Sequence, residues 1–253
     1  MILVVAGTVD GRNLAHYLKE QGLSVIISVT SAYGGLLAEG SADEVNVDFL
    51  TQEAFIEFLQ DNKIKVVVDA SHPYAVNVSK NVIKATIDLG IFYVRYEREQ
   101  TLLDGYPKLY KVKDTQEAAQ KAVQLGENIF LTVGSRTLSI FKEHQALQNK
   151  RLIARVLPDI NSLNICFDLG FLPRDVIAMQ GPFSVEMNKV MFQDFQADVI
   201  VTKDSGKTGG ADTKLLAAEE LGLPIVLIER PTVDYTVVKN SFADIYEYIS
   251  EVI

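Results

Sequence analysis

Residues 66–75, VVVDASHPYA, set three valines ahead of an aspartate, a short polar turn and a proline. The valines read as a strand buried on both faces, as parallel strands of α/β proteins are. Pro73 suits the first turn of a helix, where a missing N–H costs nothing, and residues 75–89 carry apolar spacing near 3.6. The stretch is therefore strand, polar loop, helix, and the same order recurs along the chain. Residues 2–6 (ILVVA), 25–29 (VIISV) and 92–96 (FYVRY) predict strands, with helices at 11–21 and 51–61. After residue 99 the texture loosens through TLLDGYPKLYKV. Strands at 129–133, 151–156, 176–179, 198–202 and 225–229 then alternate with helices at 114–125, 137–143, 184–195 and 211–221. This alternation predicts an α/β protein with mainly parallel sheets. A boundary is expected near residues 97–110, dividing a domain at 1–100 from one at 101–253.

The halves echo one another. LGIFYVRYER (89–98) lines up with LGLPIVLIER (221–230) as a helix ending at glycine, a strand and a Glu-Arg pair. Upstream, VVVDASHPYA corresponds in position to VIVTKDSGKT (199–208). Two similar α/β domains are the expectation, although glycine after a helix is a common cap in unrelated βαβ units as well.

The 253 residues are 48% hydrophobic and 23% charged, which suits one large globular domain or two smaller ones. A net charge of −9 argues against nucleic acid as the partner and requires any anionic substrate to meet a local basic cleft. Cys166 is the only cysteine and His16, His72 and His144 are scattered, so neither an intrachain disulfide nor a metal-ligand spacing is present. The opening MILVVAGTVDGR has no basic leader, and its apolar run is too short for a membrane span. A cytoplasmic protein with no membrane partner is expected; the oligomeric state is not readable.

In open parallel sheets ligands lie beyond the carboxyl ends of the strands, so the loops after strands are where chemistry belongs. In AGTVDGR (6–12), Gly7 allows a tight turn, Thr8 caps, Gly11 allows close approach at a helix N-terminus and Arg12 offers a guanidinium to phosphate or carboxylate. The spacing is not G-x-G-x-x-G, and a plain strand-to-helix turn fits it equally well. After the second strand come Thr30 and Ser31 with no carboxylate, which leaves room for a 2′-phosphate and favours NADPH over NADH. In DASHPYA (69–75), His72 is a candidate proton donor, with a capping or packing histidine as the alternative, and Asp69 is a group to orient it or to hold sugar hydroxyls. VGSRT (133–137), ARVLP (154–158), MQGPFS (179–184) and TKDSGKTGG (202–210) bring Arg136, Arg155, Lys203 and Lys207 to strand ends, a set suited to a polycarboxylate, with solvated surface charge as the alternative for any one of them. Gly206-Lys207-Thr208 mimics an ATP loop, but the early glycine that such a loop needs is Val201.

The set GTVDGRNLA, SVTSAYGG, VVVDASHPYA, YVRYER, VGSRT, ARVLP, MQGPFSVEMN and VTKDSG followed by Gly209-Gly210 resembles the precorrin-6A reductase family of cobalamin biosynthesis, its cobalt-precorrin-6A branch included. The resemblance spans nearly the whole chain. It implies two Rossmann-like domains with cofactor and substrate in a cleft between them, NADPH as hydride donor, and reduction of one double bond of an anionic, ring-contracted tetrapyrrole without flavin or metal. On that reading Gly7, Thr8, Gly11, Arg12, Thr30 and Ser31 serve the cofactor. Tyr74, Ser135, Arg136, Arg155, Gln180, Ser184, Ser205 and Gly206 serve the substrate. His72, Lys203 and Asp204, in that order, are candidates for proton delivery, with solvent as the alternative because the ring nitrogens are themselves basic. Lys203-Asp204-Ser205-Gly206 resembles a loop of the family, with Lys207-Thr208 as its variable continuation.

Two rivals stand beside this reading. A reductase or epimerase of a smaller substrate lacks the Tyr-x-x-x-Lys dyad of short-chain dehydrogenases, since Leu37, Val78 and Glu97 follow Tyr33, Tyr74 and Tyr93 by four residues. A dinucleotide-sensing module would bind cofactor without turnover.

Overall fold

The computed structural model describes residues 1–47, 51–98, 105–206 and 210–253; Lys207, Thr208 and Gly209 of the fourth loop lie outside the described residues. In chain order the first half runs β1 (Ile2–Ala6), α1 (Val9–Glu20), β2 (Val25–Val29), α2 (Ala32–Ala38), β3 (Glu44–Val47), α3 (Gln52–Asp61), β4 (Val66–Ala70), α4 (Val76–Leu89) and β5 (Phe92–Tyr96). The second begins with β6 (Leu109–Val112), α5 (Thr115–Val123), β7 (Asn128–Leu131), α6 (Leu138–Lys142), β8 (Arg151–Val156) and α7 (Ile160–Asp168). It continues through β9 (Val176–Ala178), α8 (Val185–Asp194), β10 (Val199–Lys203), α9 (Ala211–Glu220) and β11 (Ile225–Ile228), and the chain ends with β12 (Val238–Lys239) and α10 (Phe242–Val252).

Among the described residues two parallel sheets form, ordered β12-β5-β4-β1-β2-β3 and β6-β11-β10-β7-β8-β9. The two orders correspond strand for strand, each reversing at its centre, between β1 and β4 or between β7 and β10. In Rossmann-like sheets that reversal is where loops part and a ligand enters. The α/β class with two Rossmann-like units stands as expected. The echo of sequence also acquires a topology: after β5 the chain supplies the outer strand of the second sheet, and after β11 it supplies the outer strand of the first.

Residues 1–99 and 232–253 form one compact unit and residues 100–231 the other. The expected domain at 101–253 therefore needs correction at its C-terminal end. β12 pairs with β5 through Val238↔Arg95, and α10 buries Ile245 and Ile249 against Leu14 and Leu18. Burying each of those isoleucines contributes about 1.5–3 kcal/mol, enough to hold the returning segment on the first sheet.

Alternation along the strands explains the layers. Ile2, Val4, Ala6, Val66 and Val68 face α1 and α10, whereas Leu3, Val5 and Val67 face Phe55 and Leu59 of α3 and Val82 of α4. In the second unit Phe130, Ile153, Ile200, Ile225 and Leu227 face Met191 and Phe192 of α8 and Leu215 and Ala218 of α9. α2, β3, β6, α7, β12 and α10 were not foreseen. β3 (EVNV) is short and poorly buried and β12 has two residues, so neither carries a pattern. FADIYEYISEV, by contrast, is visibly amphipathic, and Ser241 caps it by accepting from the Asp244 N–H.

Candidate active site

In the first unit Ala6 pairs with Ala70, so the loops after β1 and β4 leave the sheet side by side. Thr8 caps α1, its Oγ1 accepting from Gly11 N at 3.4 Å. Gly11 is dictated by packing: an added Cβ would lie 2.6 Å from Ala6 Cβ, so α1 rests directly on β1. Gly7 is different, because a Cβ there meets nothing within 4 Å and the turn opens to solvent. Arg12 is half-buried, and no ion pair among the described residues engages its guanidinium. Asp10 in the same turn is paired, with Arg98 Nε 2.9 Å from its Oδ2 though not aligned as a hydrogen bond, and Arg98 Nη2 donates to Thr8 Oγ1 at 3.1 Å. The one acidic side chain of that turn is thus neutralised, which keeps the helix N-terminus attractive to an anion. Thr30 and Ser31 are exposed after β2, and Ser31 caps α2 by accepting from Gly34 N at 3.0 Å.

Asp69 does not orient His72 and does not reach solvent. It is fully buried, and it accepts from Arg95 Nη1 at 3.0 Å, Ser79 Oγ at 2.6 Å, Tyr93 Oη at 3.0 Å and the Ser71 N–H at 3.0 Å. Arg95 also donates from Nε to Glu97 at 2.9 Å. Burial alone would lower the Arg95 pKa, but Asp69 and Glu97 overcome it and hold the guanidinium more basic than usual. Burial, then the Asp69 charge, pushes the Tyr93 phenol up. This network braces β4, α4 and β5, and its polar content reflects structure, not reactivity. His72 is half-buried, and its Nδ1 accepts the Tyr74 N–H at 3.2 Å, which places the ring proton on Nε2. The Tyr74 ring lies 5.7 Å from the imidazole, centre to centre.

In the second unit Leu131 pairs with both Val201 and Ala154, so the loops after β7, β8 and β10 emerge together. Lys203 Nζ donates to the Val133 carbonyl at 2.7 Å, and burial, then the charge of Arg136, lowers its pKa. Arg136 is exposed on a 3-10 turn at Ser135–Thr137, and Ser135 Oγ lies 3.1 Å from Ser162 Oγ. Asp204 and Ser205 are buried. The Asp204 carboxylate lies 3.4 Å from Arg230 Nε and accepts the Gly206 N–H, while Arg230 also donates to the Asp204 carbonyl. Gly206 sits at φ +72°, where a side chain is strained. Asp204 is thereby a brace for the Lys-Asp-Ser-Gly turn. Gln180 and Ser184 are exposed, and Ser184 caps α8 by accepting from Met187 N.

Arg155 is at a strand end, as the sequence suggests, but it is a buried cation. It is 8% exposed, it donates to Asn188 Oδ1 at 2.8 Å, and it lies 4.6 Å from the Phe183 ring centre. Burial pushes its guanidinium down to about 10. Lys214 of α9 is 9% exposed and went unnoticed in the sequence. Its signal was there: in ADTKLLAA the lysine shares the buried stripe of Ala211, Leu215 and Ala218 and breaks its apolar character.

The structure brings Gly7, Thr8, Gly11, Arg12, His72 and Tyr74 to the switch-point end of the first sheet. It brings Ser135, Arg136, Arg155, Lys203, Asp204, Ser205 and Gly206 to that of the second. Among the described residues no group of three His, Cys, Asp or Glu is placed to hold a metal, and no helix is long and apolar enough to cross a membrane.

Comparison with known proteins bears on this arrangement. A cobalt-precorrin-6A reductase of Priestia megaterium is 38% identical over 246 residues, covering 97% of this chain and 96% of that protein. One of Methanocaldococcus jannaschii is 34% identical over 251 residues, 98% of each chain. A precorrin-6A reductase of Rhodobacter capsulatus is 30% identical over 234 residues, 92% of this chain and 88% of that protein. A solved structure of CobK precorrin-6A reductase superposes with a TM-score of 0.81 at 24% identity, covering 99% of this chain and 96% of that one, and establishes the likeness of fold. The family model for precorrin-6x reductase CbiJ/CobK matches residues 1–252, and the chain belongs to that family.

Proposed function

We propose that the chain is an NADPH-dependent cobalt-precorrin-6A reductase of cobalamin biosynthesis. The observation that carries this, beside the family, is electrostatic. In a protein of net charge −9, Arg136, Arg155 and Lys203 lie at the carboxyl ends of β7, β8 and β10, while Arg230 after β11 is paired with Asp204. Such a cationic set in an acidic protein is what a tetrapyrrole fringed with acetate and propionate groups requires. The cobalt form is favoured because relatives named for it, at 38% and 34% identity, are more similar than relatives named for precorrin-6A, at 30% and 29%.

The first unit suits a dinucleotide. Open space at Gly7, the Arg12 guanidinium, which forms no ion pair among the described residues, and the neutralised Asp10 fit an anionic pyrophosphate over the start of α1. Thr30 and Ser31, hydroxyls with no carboxylate, fit a phosphorylated ribose. The reduced nicotinamide, when bound, supplies the hydride. The chain's own part is to orient, to exclude water and to move one proton. His72 is the foremost candidate for proton delivery, its ring oriented by the Tyr74 N–H bond at Nδ1, which places a proton on Nε2. Lys203 follows, its pKa lowered toward the working range. Asp204, held by Arg230, acts on the loop.

The test is anaerobic incubation of the purified protein with NADPH and either precorrin-6A or its cobalt form, following NADPH oxidation and tetrapyrrole mass. Gain of two hydrogens on the cobalt form is expected. Cofactor binding without turnover on either form would leave a dinucleotide sensor as the reading. For His72, the His72→Ala variant should lose about 100-fold or more in kcat; an unchanged kcat and pH profile would remove it from the mechanism.

A further inference from the structure

The second unit buries two cations close enough to feel one another's charge. Arg155 and Lys214 are each more than nine-tenths buried, and no carboxylate among the described residues forms an ion pair with either. Parity and register place their surroundings. Arg155 follows Ile153 by two residues and Thr202 follows Ile200 by two, and both isoleucines lie in the core under α8 and α9. Leu131 pairs with Ala154 and with Val201, so Arg155, Thr132 and Thr202 stand in one row on that face, at its carboxyl end.

Thr132 is satisfied, its hydroxyl donating to the Val201 carbonyl at 3.1 Å. Thr202 is wholly buried, and its Oγ1 has no hydrogen-bond partner among the described residues. Asn188 accepts from Arg155 and donates to the Phe183 and Ser184 carbonyls, fixing the guanidinium and the loop over it. α9 begins at Gly210 with no side-chain cap, and Lys214 lies in its first turns. Asp212 is the acidic side chain of that turn, and its carboxylate accepts the Thr213 N–H at 2.8 Å. Burial, and next the charge of Arg155, lower Lys214 to about 7, while Asp212 raises it by less. Uncompensated buried charge and an orphaned hydroxyl both oppose folding, so their coincidence at a switch point marks a place made for a ligand.

We propose that Lys214, Arg155 and Thr202, braced by Asn188, form an oxyanion pocket that receives a carboxylate arm of the tetrapyrrole or a phosphate of the dinucleotide. The pocket deepens the reductase reading and rests on it for the identity of its ligands. Its chemistry is a charge-assisted clamp: two cations and a hydroxyl donate to one oxyanion, and the anion stabilises the lysine as ammonium.

Equilibrium binding of NADP+ and of cobalt-precorrin-6A is to be measured separately on the full chain and on Lys214→Met, with Thr202→Val as a near-isosteric second variant. For one ligand, Lys214→Met should bind about tenfold more weakly or worse, and Thr202→Val should weaken the same ligand by a smaller factor. The other ligand should change by less than about twofold. A loss confined to the tetrapyrrole assigns the pocket to a carboxylate, and a loss confined to NADP+ assigns it to a phosphate. Unchanged constants, or parallel losses on both ligands, overturn the pocket. Failure of the reductase reading shows itself separately, as wild type that oxidises no NADPH with either tetrapyrrole. In that case inorganic phosphate decides: it raises the unfolding midpoint of wild type and not of Lys214→Met if the pocket is real, and shifts both alike if it is not.

Discussion

On the first sheet Asp69 of β4 stands opposite Arg95 of β5; on the second, the corresponding places on β10 and β11 hold Thr202 and Leu227. The echo of LGIFYVRYER with LGLPIVLIER puts Arg95 over Leu227, and the strand register agrees. The first unit thus closes its buried charge with a carboxylate, two serine hydroxyls and a tyrosine. Among the described residues the second leaves the Thr202 hydroxyl without a partner, and no acid forms an ion pair with Arg155 or Lys214, Asp212 raising the lysine pKa by less than burial and Arg155 lower it. One strand order therefore serves two ends. A closed polar network rigidifies, and an open one waits for a partner. The Glu-Arg pairs at 97–98 and 229–230 show what the halves retain: Arg98 braces the turn after β1 through Asp10, and Arg230 braces the turn after β10 through Asp204.

The sharpest way to break this contrast is Asp69→Ala, which takes from Arg95 its buried carboxylate and leaves only Glu97 against its charge among the described residues. Denaturant unfolding should show a loss of about 3–5 kcal/mol. A loss under about 1 kcal/mol would mean that the network is not the brace described. Lys214→Met should act in the opposite sense and stabilise the free protein by about 2 kcal/mol. Its pH dependence has a definite sign. Burial lowers Lys214 from 10.5 to about 7, so below pH 7 the lysine is charged in both states and its penalty is complete. Between 7 and 10.5 the unfolded chain binds the extra proton, so stability rises with pH and the penalty fades. Urea unfolding of both proteins across that range should show the advantage of Lys214→Met shrinking as pH rises, and a constant difference would contradict the burial argument.

Gly11→Ala tests the turn after β1. With its new Cβ 2.6 Å from Ala6 Cβ, it should cost about 1–2 kcal/mol, whereas Gly7→Ala, which meets nothing, should stay within about 0.5 kcal/mol and weaken dinucleotide binding instead. The smallest change belongs to Thr202→Val. Replacing an orphaned hydroxyl by a methyl should be neutral or stabilising by up to about 1 kcal/mol in thermal unfolding, and a clear destabilisation would mean that Thr202 has a partner after all.

The α/β class, most strands and helices, and the loops where chemistry gathers are legible in the sequence, because apolar runs and 3.6 periodicity are local signals of burial. The sequence also carried the family, through motifs spread along the chain. Tertiary structure alone decided three further matters. Residues 232–253 return to the first sheet because β5 has an open edge and α1 an apolar face to cover, a fact no local window contains. Asp69 became a brace and not a site group because Arg95, distant in sequence, lies opposite it in register. Lys214 became a pocket residue because α9 packs that side of the helix on the sheet beside Arg155, and the cost or use of a charge depends on what surrounds it in space.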